Sequence, residues 1–283
     1  MTLPRNLDII ETKSLNYVEN GISFEILIRT NQALKHKSTM QQYCADAFQD
    51  IKYFDTVVEL KNKNYRLIFN KFNLVQRHYL LVSIDFCHQK EILTQLSFEA
   101  LAEAIQITNF YAFYNGGQKS GSSQPRQHFQ LVELDKIPIE NLIINDKLRY
   151  LDDLQCFVET FPVCDSMSLY KAYINLIKKC RIQLSEPIIS DDIAHNYFDV
   201  SKLPTYHQIY TQEEDQSTLT QLTIDDYSLI IANGYMIMFK RSQDNFINSI
   251  SLTGQIFVQD EQSAQLLMQT GILNTFRTCI PTE

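Results

Sequence analysis

The stretch Tyr114 to Leu134, YNGGQKSGSSQPRQHFQLVEL, gathers the groups in this chain best suited to chemistry. Gly116, Gly117 and Gly121 are three of only 7 glycines in 283 residues. Glycine reaches φ > 0 freely and lets main chain come close to a ligand. Ser120, Ser122, Ser123 and Gln124 add hydroxyl and amide donors. Such a loop suits phosphate, because successive main-chain N–H groups form an anion-binding nest. The same composition also describes an ordinary polar surface loop. The adjoining segment decides between the two. Gln127 to Leu134 alternates with period 2, so Arg126, His128 and Gln130 share one face and Phe129 and Leu131 the other. A neutral imidazole can attack phosphorus, its unperturbed pKa being about 6.5. Gln130 can hydrogen-bond the transferring group without carrying charge, and Arg126 can pair with phosphate oxygens in bidentate fashion. His128 is therefore read as a nucleophile at the exit of a phosphate cradle.

Other groups carry less. Lys71, after Asn70, is a candidate phosphate ligand or a plain surface lysine. His78 and His88 flank a strand, Cys87-His88 lacks a metal-ligand spacing, and His195 and His207 lie in poorly patterned sequence. Asp191-Asp192 and Asp225-Asp226 read as solvated turns. There is no HExxH, Walker loop or GxGxxG. A divalent cation, Mg or Mn, held through substrate phosphates would leave little trace in the sequence.

The elements that must position these groups are mostly strands. Ile22 to Arg29, Tyr65 to Phe69, Tyr79 to Ile84 and Phe110 to Tyr114 read as strands, with a shorter apolar run at Thr56 to Leu60. Ser97 is expected to cap a helix from Phe98, burying Phe98, Leu101, Ala102 and Ile105. Leu169 to Arg181 reads as a helix with Tyr170, Tyr173, Ile174 and Ile177 on one face. Tyr227 to Ile231 and Tyr235 to Phe239 form an expected hairpin around Asn233-Gly234. Ser249 to Val258 reads as a strand, and Asp260 as the cap of a final helix with Ala264, Leu267, Met268 and Gly271 on one face. Thr30 to Gln49 is polar and reads as irregular or helical, and Thr211 to Asp226, polar and acidic with no clear period, reads as a loop. YRLIF and YSLII, each before a second tyrosine-led strand (YLLVSI, YMIMFK), make a faint internal echo. Strands with few, non-alternating helices mean α+β.

Composition sets the outer bounds. A chain of this length with 45% hydrophobic residues can bury a large core without disulfides or structural metal. A formal charge of -8 argues against polymeric nucleic acid, which needs a basic surface. It leaves room for a small anion held by local donors. The 6 cysteines have no CxxC spacing and fit a reducing, cytoplasmic setting. No run approaches 18 apolar residues, and Met1 to Lys13 has no signal-peptide core, so no membrane partner is expected.

At SGSSQPRQHFQ the chain resembles the fungal-type diadenosine tetraphosphate phosphorylases, or ATP adenylyltransferases, of the HIT-like and galactose-1-phosphate uridylyltransferase-like superfamily. Their pattern is close to YN-x-G-x-x-SGASQPHKHLQ. FNKFNLVQRHYLLV, YSLIIANGYMIMFKRS and NSISLTGQIFVQDEQ are similar to further family segments, in the right order. The resemblance implies an α+β, HIT-like fold of two pseudo-repeated halves with antiparallel sheets and packed helices. The expected division is a catalytic half at 1–150 and a half at 151–283 that completes the substrate site. It implies phosphorolysis of diadenosine tetraphosphate to ATP and ADP, and the reverse, with His128 forming an adenylyl-histidine. Gln130 would hold the non-bridging oxygens, and Asn115, Gly121, Ser122, Ser123 and Gln124 the phosphate chain. Asn70 and Lys71 match a nucleotide-contacting pair, and Lys37 loosely matches a phosphate-binding lysine. Asn248, Ser249, Ile250, Gln255 and Gln259 occupy further substrate-contacting positions. Partners would be these nucleotides and phosphate, and the protein a monomer or homodimer. Three departures stand out: Arg126 replaces the first histidine of the family's HxH, Gln259 a lysine, and Lys240 a proline. They keep two alternatives open, a degenerate adenine-nucleotide-binding or signalling protein and a related GDP-sugar phosphorylase.

Overall fold

Eight apolar-rich segments of alternating pattern pair into one continuous antiparallel sheet, and this sheet organises the molecule. The computed structural model describes residues 8–30, 46–48, 56–58, 60–70, 72–73, 77–135, 137–144, 147–148, 151–185, 223–243 and 246–282. Lys37, Lys71, His195, His207, Asp191-Asp192, most of Thr30 to Gln49 and most of Thr211 to Asp226 lie outside them. The strands are β1 (Thr12–Glu19), β2 (Ile22–Arg29), β3 (Thr56–Val58), β4 (Tyr65–Phe69), β5 (His78–Ser83) and β6 (Tyr111–Gly116). They continue with β7 (His128–Val132), β8 (Cys156–Thr160), β9 (Tyr227–Ala232), β10 (Tyr235–Lys240) and β11 (Gln255–Val258). The order in the large sheet is β8-β10-β9-β6-β7-β5-β4-β3. A smaller sheet has the order β11-β2-β1, with β11 parallel to β2.

The helices begin where side chains can satisfy their free N–H groups. Helix α1 (Gln95–Thr108) starts one turn before the expected Phe98. Thr94 is the cap and Ser97 its reciprocal partner, each side chain bonding the other's main-chain N–H. Phe98, Leu101, Ala102 and Ile105 are buried as expected. Helix α2 (Ser166–Lys179), capped by Asp165, buries Leu169, Ala172, Tyr173, Leu176 and Ile177. Its buried face is rotated from the expected one, and Tyr170 and Ile174 are only half-buried. Asp260 caps α3 (Glu261–Thr270), which is not the last helix: Gly271, at φ 86°, turns the chain into α4 (Ile272–Cys279). The expected strand Ser249 to Val258 is shorter, because Ser251–Thr253 forms a 3-10 turn ended by Gly254 at φ 93°. The hairpin of β9 and β10 closes through Gly234, at φ 108°.

The sheet order carries an internal symmetry. The unit β5–α1–β6–β7 lies in the sheet as β5-β7-β6, and β8–α2–β9–β10 as β8-β10-β9. The two units meet through antiparallel pairing of β6 with β9, where Phe113 stands opposite Ile230 and Tyr114 opposite Leu229. The two halves are therefore pseudo-equivalent, although the sequence echo matches the wrong strands. YSLII of β9 corresponds to YAFYN of β6 rather than to YRLIF of β4.

The two faces of the sheet differ. Helices α1 and α2 cover one face, where Phe98, Phe129, Tyr114, Tyr173 and Tyr227 form a single core. On the other face the second half is covered by β2, β11, α3 and α4, through Phe24, Ile26, Phe276 and their neighbours. The first half presents His78, Leu80, Val82, His128 and Gln130 on that face, with a small apolar cluster of Phe48, Ile68, Leu80 and Val82 beside them. No two of the five described cysteines are joined in a disulfide. Among the described residues, no helix is long and apolar enough to cross a membrane.

Candidate active site

His128 opens β7, and its ring is tethered through one of its two nitrogens. Nδ1 lies 2.8 Å from the carbonyl oxygen of Arg126. A carbonyl only accepts, so Nδ1 carries the proton and Nε2 keeps a lone pair. Burial pushes the His128 pKa down, opposed by the Arg126 carbonyl and the charge of Asp46. The imidazole is therefore neutral near pH 7, the form a nucleophile needs. Phe48 packs on the ring with centroids 5.4 Å apart. Across the ladder, Gln130 hydrogen-bonds His78, and Asn70 Nδ2 lies 3.1 Å from His78 Nδ1. Burial lowers the His78 pKa to about 4. Asn70, His78, Gln130 and His128 thus form one neutral polar cluster on this face of the first half.

The glycine loop is built differently from an open N–H nest. The N–H groups of Ser120 and Ser122 donate to the carbonyl of Gly117, at 3.3 and 3.2 Å, and that of Gly121 to Gln118, at 2.8 Å. Lys119 N–H donates to Asp226 Oδ2 at 2.7 Å, and Lys90 Nζ lies 2.8 Å from the other oxygen. The loop does cradle an anion, and here it is the protein's own carboxylate. Asp226 is buried, which corrects its reading as a solvated turn residue. Gly117, at φ 105°, is required on two counts, since a Cβ there would stand 2.5 Å from the Asp226 carboxylate. Among the described residues, no acceptor takes the N–H of Ser123 or Gln124. Gln124 accepts from Ala47 N–H at 3.2 Å, and Ser122 Oγ donates to the Gln124 carbonyl at 3.0 Å.

The second half closes the site from the other side. Asn115 Oδ1 accepts from Ser249 N–H at 2.9 Å, and a Cβ on Gly121 would lie 3.1 Å from Asn248 Cβ. Asn248 uses its own carbonyl to accept from Ser251, so 248–250 is held as a tight turn against the loop. Ile250 is buried in the core behind it. Ser249 Oγ is buried with no partner among the described residues.

Three expected site residues stand apart from this cluster. Arg126 spends its guanidinium on the protein: Nε and Nη2 bond Asp46 at 2.9 and 2.7 Å, and Nη1 bonds the carbonyls of Ser83 and Ile84 at 3.2 and 2.6 Å. Phe86 stacks under it. Gln255 bonds Glu25 of β2 at 2.9 Å. Gln259 lines a groove of about 560 Å³ with Leu27, Arg29, Phe246 and Leu266, and none of the residues around His128 lines it. Two residues outside the expected site are central. Asp226 holds the loop, and Gln89, buried, holds the His128 main chain by accepting its N–H at 2.8 Å. Neither sits in a motif, and each acts on main chain far away in sequence.

Fold and site together define an α+β protein of two pseudo-equivalent halves, with the neutral pair His78 and His128 on the sheet face of the first half. Residues 4–145 match the Ap4A phosphorylase N-terminal domain family, and residues 153–280 match the ATP adenylyltransferase C-terminal domain family. The chain belongs to the Ap4A phosphorylase and ATP adenylyltransferase family. Its relatives include diadenosine 5',5'''-P1,P4-tetraphosphate phosphorylase 2 of Saccharomyces cerevisiae, 24% identical over 226 residues, 72% of this chain. Protein APA1 of the same organism is 30% identical over 218 residues, 71% of this chain. The matches span 65% and 63% of those relatives' lengths, just under two thirds. The crystal structure of yeast Ap4A phosphorylase Apa2 in complex with AMP superposes with a TM-score of 0.68 at 19% identity, covering 98% of this chain and 92% of that one. The Apa2 complex with Ap4A gives 0.67 at 18% identity, with the same coverage. These likenesses show the fold.

Proposed function

We propose that the protein catalyses phosphorolysis of diadenosine tetraphosphate to ATP and ADP, and the reverse adenylyl transfer, with His128 carrying the adenylyl group. The tether of Nδ1 to the Arg126 carbonyl is the observation that carries this reading. It fixes the tautomer that leaves Nε2 free. Nε2 attacks the α-phosphorus, the bond to the bridging oxygen breaks, and ATP departs. The ring then bears a positive charge, shared between the new N–P bond and the Nδ1–H, and the Arg126 carbonyl stabilises it by accepting that hydrogen. An oxygen of inorganic phosphate attacks the same phosphorus, the N–P bond breaks, and ADP leaves. Nδ1 keeps its proton throughout.

The neutral cluster suits a highly charged substrate. Gln130 and Asn70 offer amide donors without fixed charge, and Ser123, Gln124 and Ser249 supply donors where the two halves meet. Lys37 and Lys71 are proposed to add positive charge. Among the described residues, no three His, Cys, Asp or Glu side chains gather to hold a metal. A divalent cation would be held by the substrate phosphates. Six scattered cysteines without CxxC spacing support a cytoplasmic setting.

The test is product analysis with diadenosine tetraphosphate. ATP plus ADP, formed only with phosphate, is expected, together with an acid-labile adenylylated protein. His128→Ala should lose both by several orders of magnitude. A His128→Ala protein of normal activity would reject the reading, and AMP plus ATP as products would replace phosphate by water as the acceptor. Tight nucleotide binding without turnover would favour a binding protein instead.

A further inference from the structure

The pairing of β6 with β7 stops short of the nucleophile. Tyr111 stands opposite Val132, Ala112 opposite Leu131, and Phe113 opposite Gln130. Two more steps in the same register would set Asn115 opposite His128, and their main chains would bond directly. The carboxamide of Gln89 stands between them instead. Its Oε1 accepts from His128 N–H at 2.8 Å, and its Nε2 donates to the Asn115 carbonyl at 2.9 Å. The same Nε2 reaches the His128 carbonyl at 3.3 Å. An amide side chain offers the donor and acceptor of a peptide group, so Gln89 acts as one inserted rung of the ladder. Its own main chain is clamped as well. Gln89 N–H donates to the Pro125 carbonyl at 2.6 Å, and its carbonyl accepts from Tyr114 Oη at 2.7 Å. Gln127 N–H bonds the Cys87 carbonyl at 2.7 Å, and His88 bridges Arg126. The entry to β7 is therefore paired with residues 87–89 rather than with β6.

The geometry points to Gln89 as a positioning residue for His128. By wedging β6 and β7 apart by one amide, it makes room for the loop on one side and fixes the main chain of His128 on the other. It also couples that strand to Asn115, whose Oδ1 holds Ser249 of the second half. One buried side chain thus sets the imidazole relative to both walls of the site. The inference rests on His128 being the nucleophile.

Two variants test it, Gln89→Met, which keeps the length and loses the amide, and Gln89→Glu, which keeps an acceptor for His128 N–H. Both are compared with His128→Ala for turnover, single-turnover adenylylation, AMP affinity and thermal midpoint. Gln89→Met should lower kcat and the adenylylation rate by about 10²-fold, the cost of displacing a reacting group by about 1 Å. KM and AMP affinity should stay within about threefold of the parent. Gln89→Glu should recover part of the lost rate. A folded Gln89→Met protein with a parental kcat, beside an inactive His128→Ala, would overturn the proposal alone. So would a loss of AMP affinity equal to the loss of kcat. Failure of both variants to fold would make Gln89 a residue of the fold and overturn it too. An active His128→Ala protein would instead remove the reading on which it rests.

Discussion

Arg126 stands next but one to His128, where the related motif has a histidine, yet its charge is turned inward. All three guanidinium nitrogens have protein acceptors, and Asp46 neutralises it in a buried pair. Its carbonyl, not its side chain, serves His128. The substitution for histidine therefore costs the site no proton carrier that this geometry would use. Arg126→Ala would leave Asp46 half-buried without its partner, and stability should fall by about 3–5 kcal/mol in urea denaturation at pH 7. The KM for phosphate in the remaining folded enzyme should be unchanged. A large rise in that KM would return Arg126 to the phosphate site. The shared strand face of His128 and Gln130 was legible in the sequence because the alternation lies within one short strand. The true partner of Arg126 was not, because Asp46 lies 80 positions away with no pattern to mark it.

Among the elements, the loop from Gly116 to Gln127 does the most positioning. Its glycines are set by neighbours distant in sequence. A Cβ on Gly116 would strike the Tyr227 ring at 2.6 Å, and one on Gly117 the Asp226 carboxylate. Gly117→Ala adds a left-handed strain of roughly 1–3 kcal/mol to that clash. It should lower the thermal midpoint and turnover together, and an unchanged midpoint would contradict the packing of Asp226 on the loop. Strand positions came out of the alternation within one or two residues, as at Ile22–Arg29 and Tyr65–Phe69. The start of α1 and the turn at Ser251–Thr253 did not. In the first case Thr94 and Ser97 share the capping. In the second, Gly254 breaks an alternating run that looks continuous on paper. The face of α2 also moved, because Tyr170 and Ile174 pack at the margin of a core centred on Tyr173.

At the scale of the whole molecule, the halves share their structure rather than merely touching. Strand β9 completes the sheet beside β6, and β11 completes the small sheet beside β2. The same face that bears His128 in the first half is filled in the second by Tyr235, Ile237 and Phe239, buried under β2 and its neighbours. The first half thus keeps a polar cluster on the face that the second half fills with apolar side chains. Fragments 1–150 and 151–283 expressed apart should each lack a cooperative thermal transition, and together they should regain one. A sharply melting, monomeric 1–150 fragment would show that the first half stands alone. The overall α+β class was readable from strand count and helix scarcity. The sheet order was not, since pairing between strands as far apart in sequence as β6 and β9 leaves no local signal.

The parallel pairing of β2 with β11 has a consequence for synthesis. Glu25 and Gln255, bonded side by side, are separated by 230 positions. At about 5–20 residues per second, a ribosome takes on the order of ten seconds to most of a minute to cover that distance. Throughout that interval Phe24, Ile26 and Ile28 have emerged but lack the strand that pairs with them. The nascent chain therefore carries an unpaired apolar strand edge for nearly its whole translation, a ready target for chaperones and for self-association on crowded polysomes.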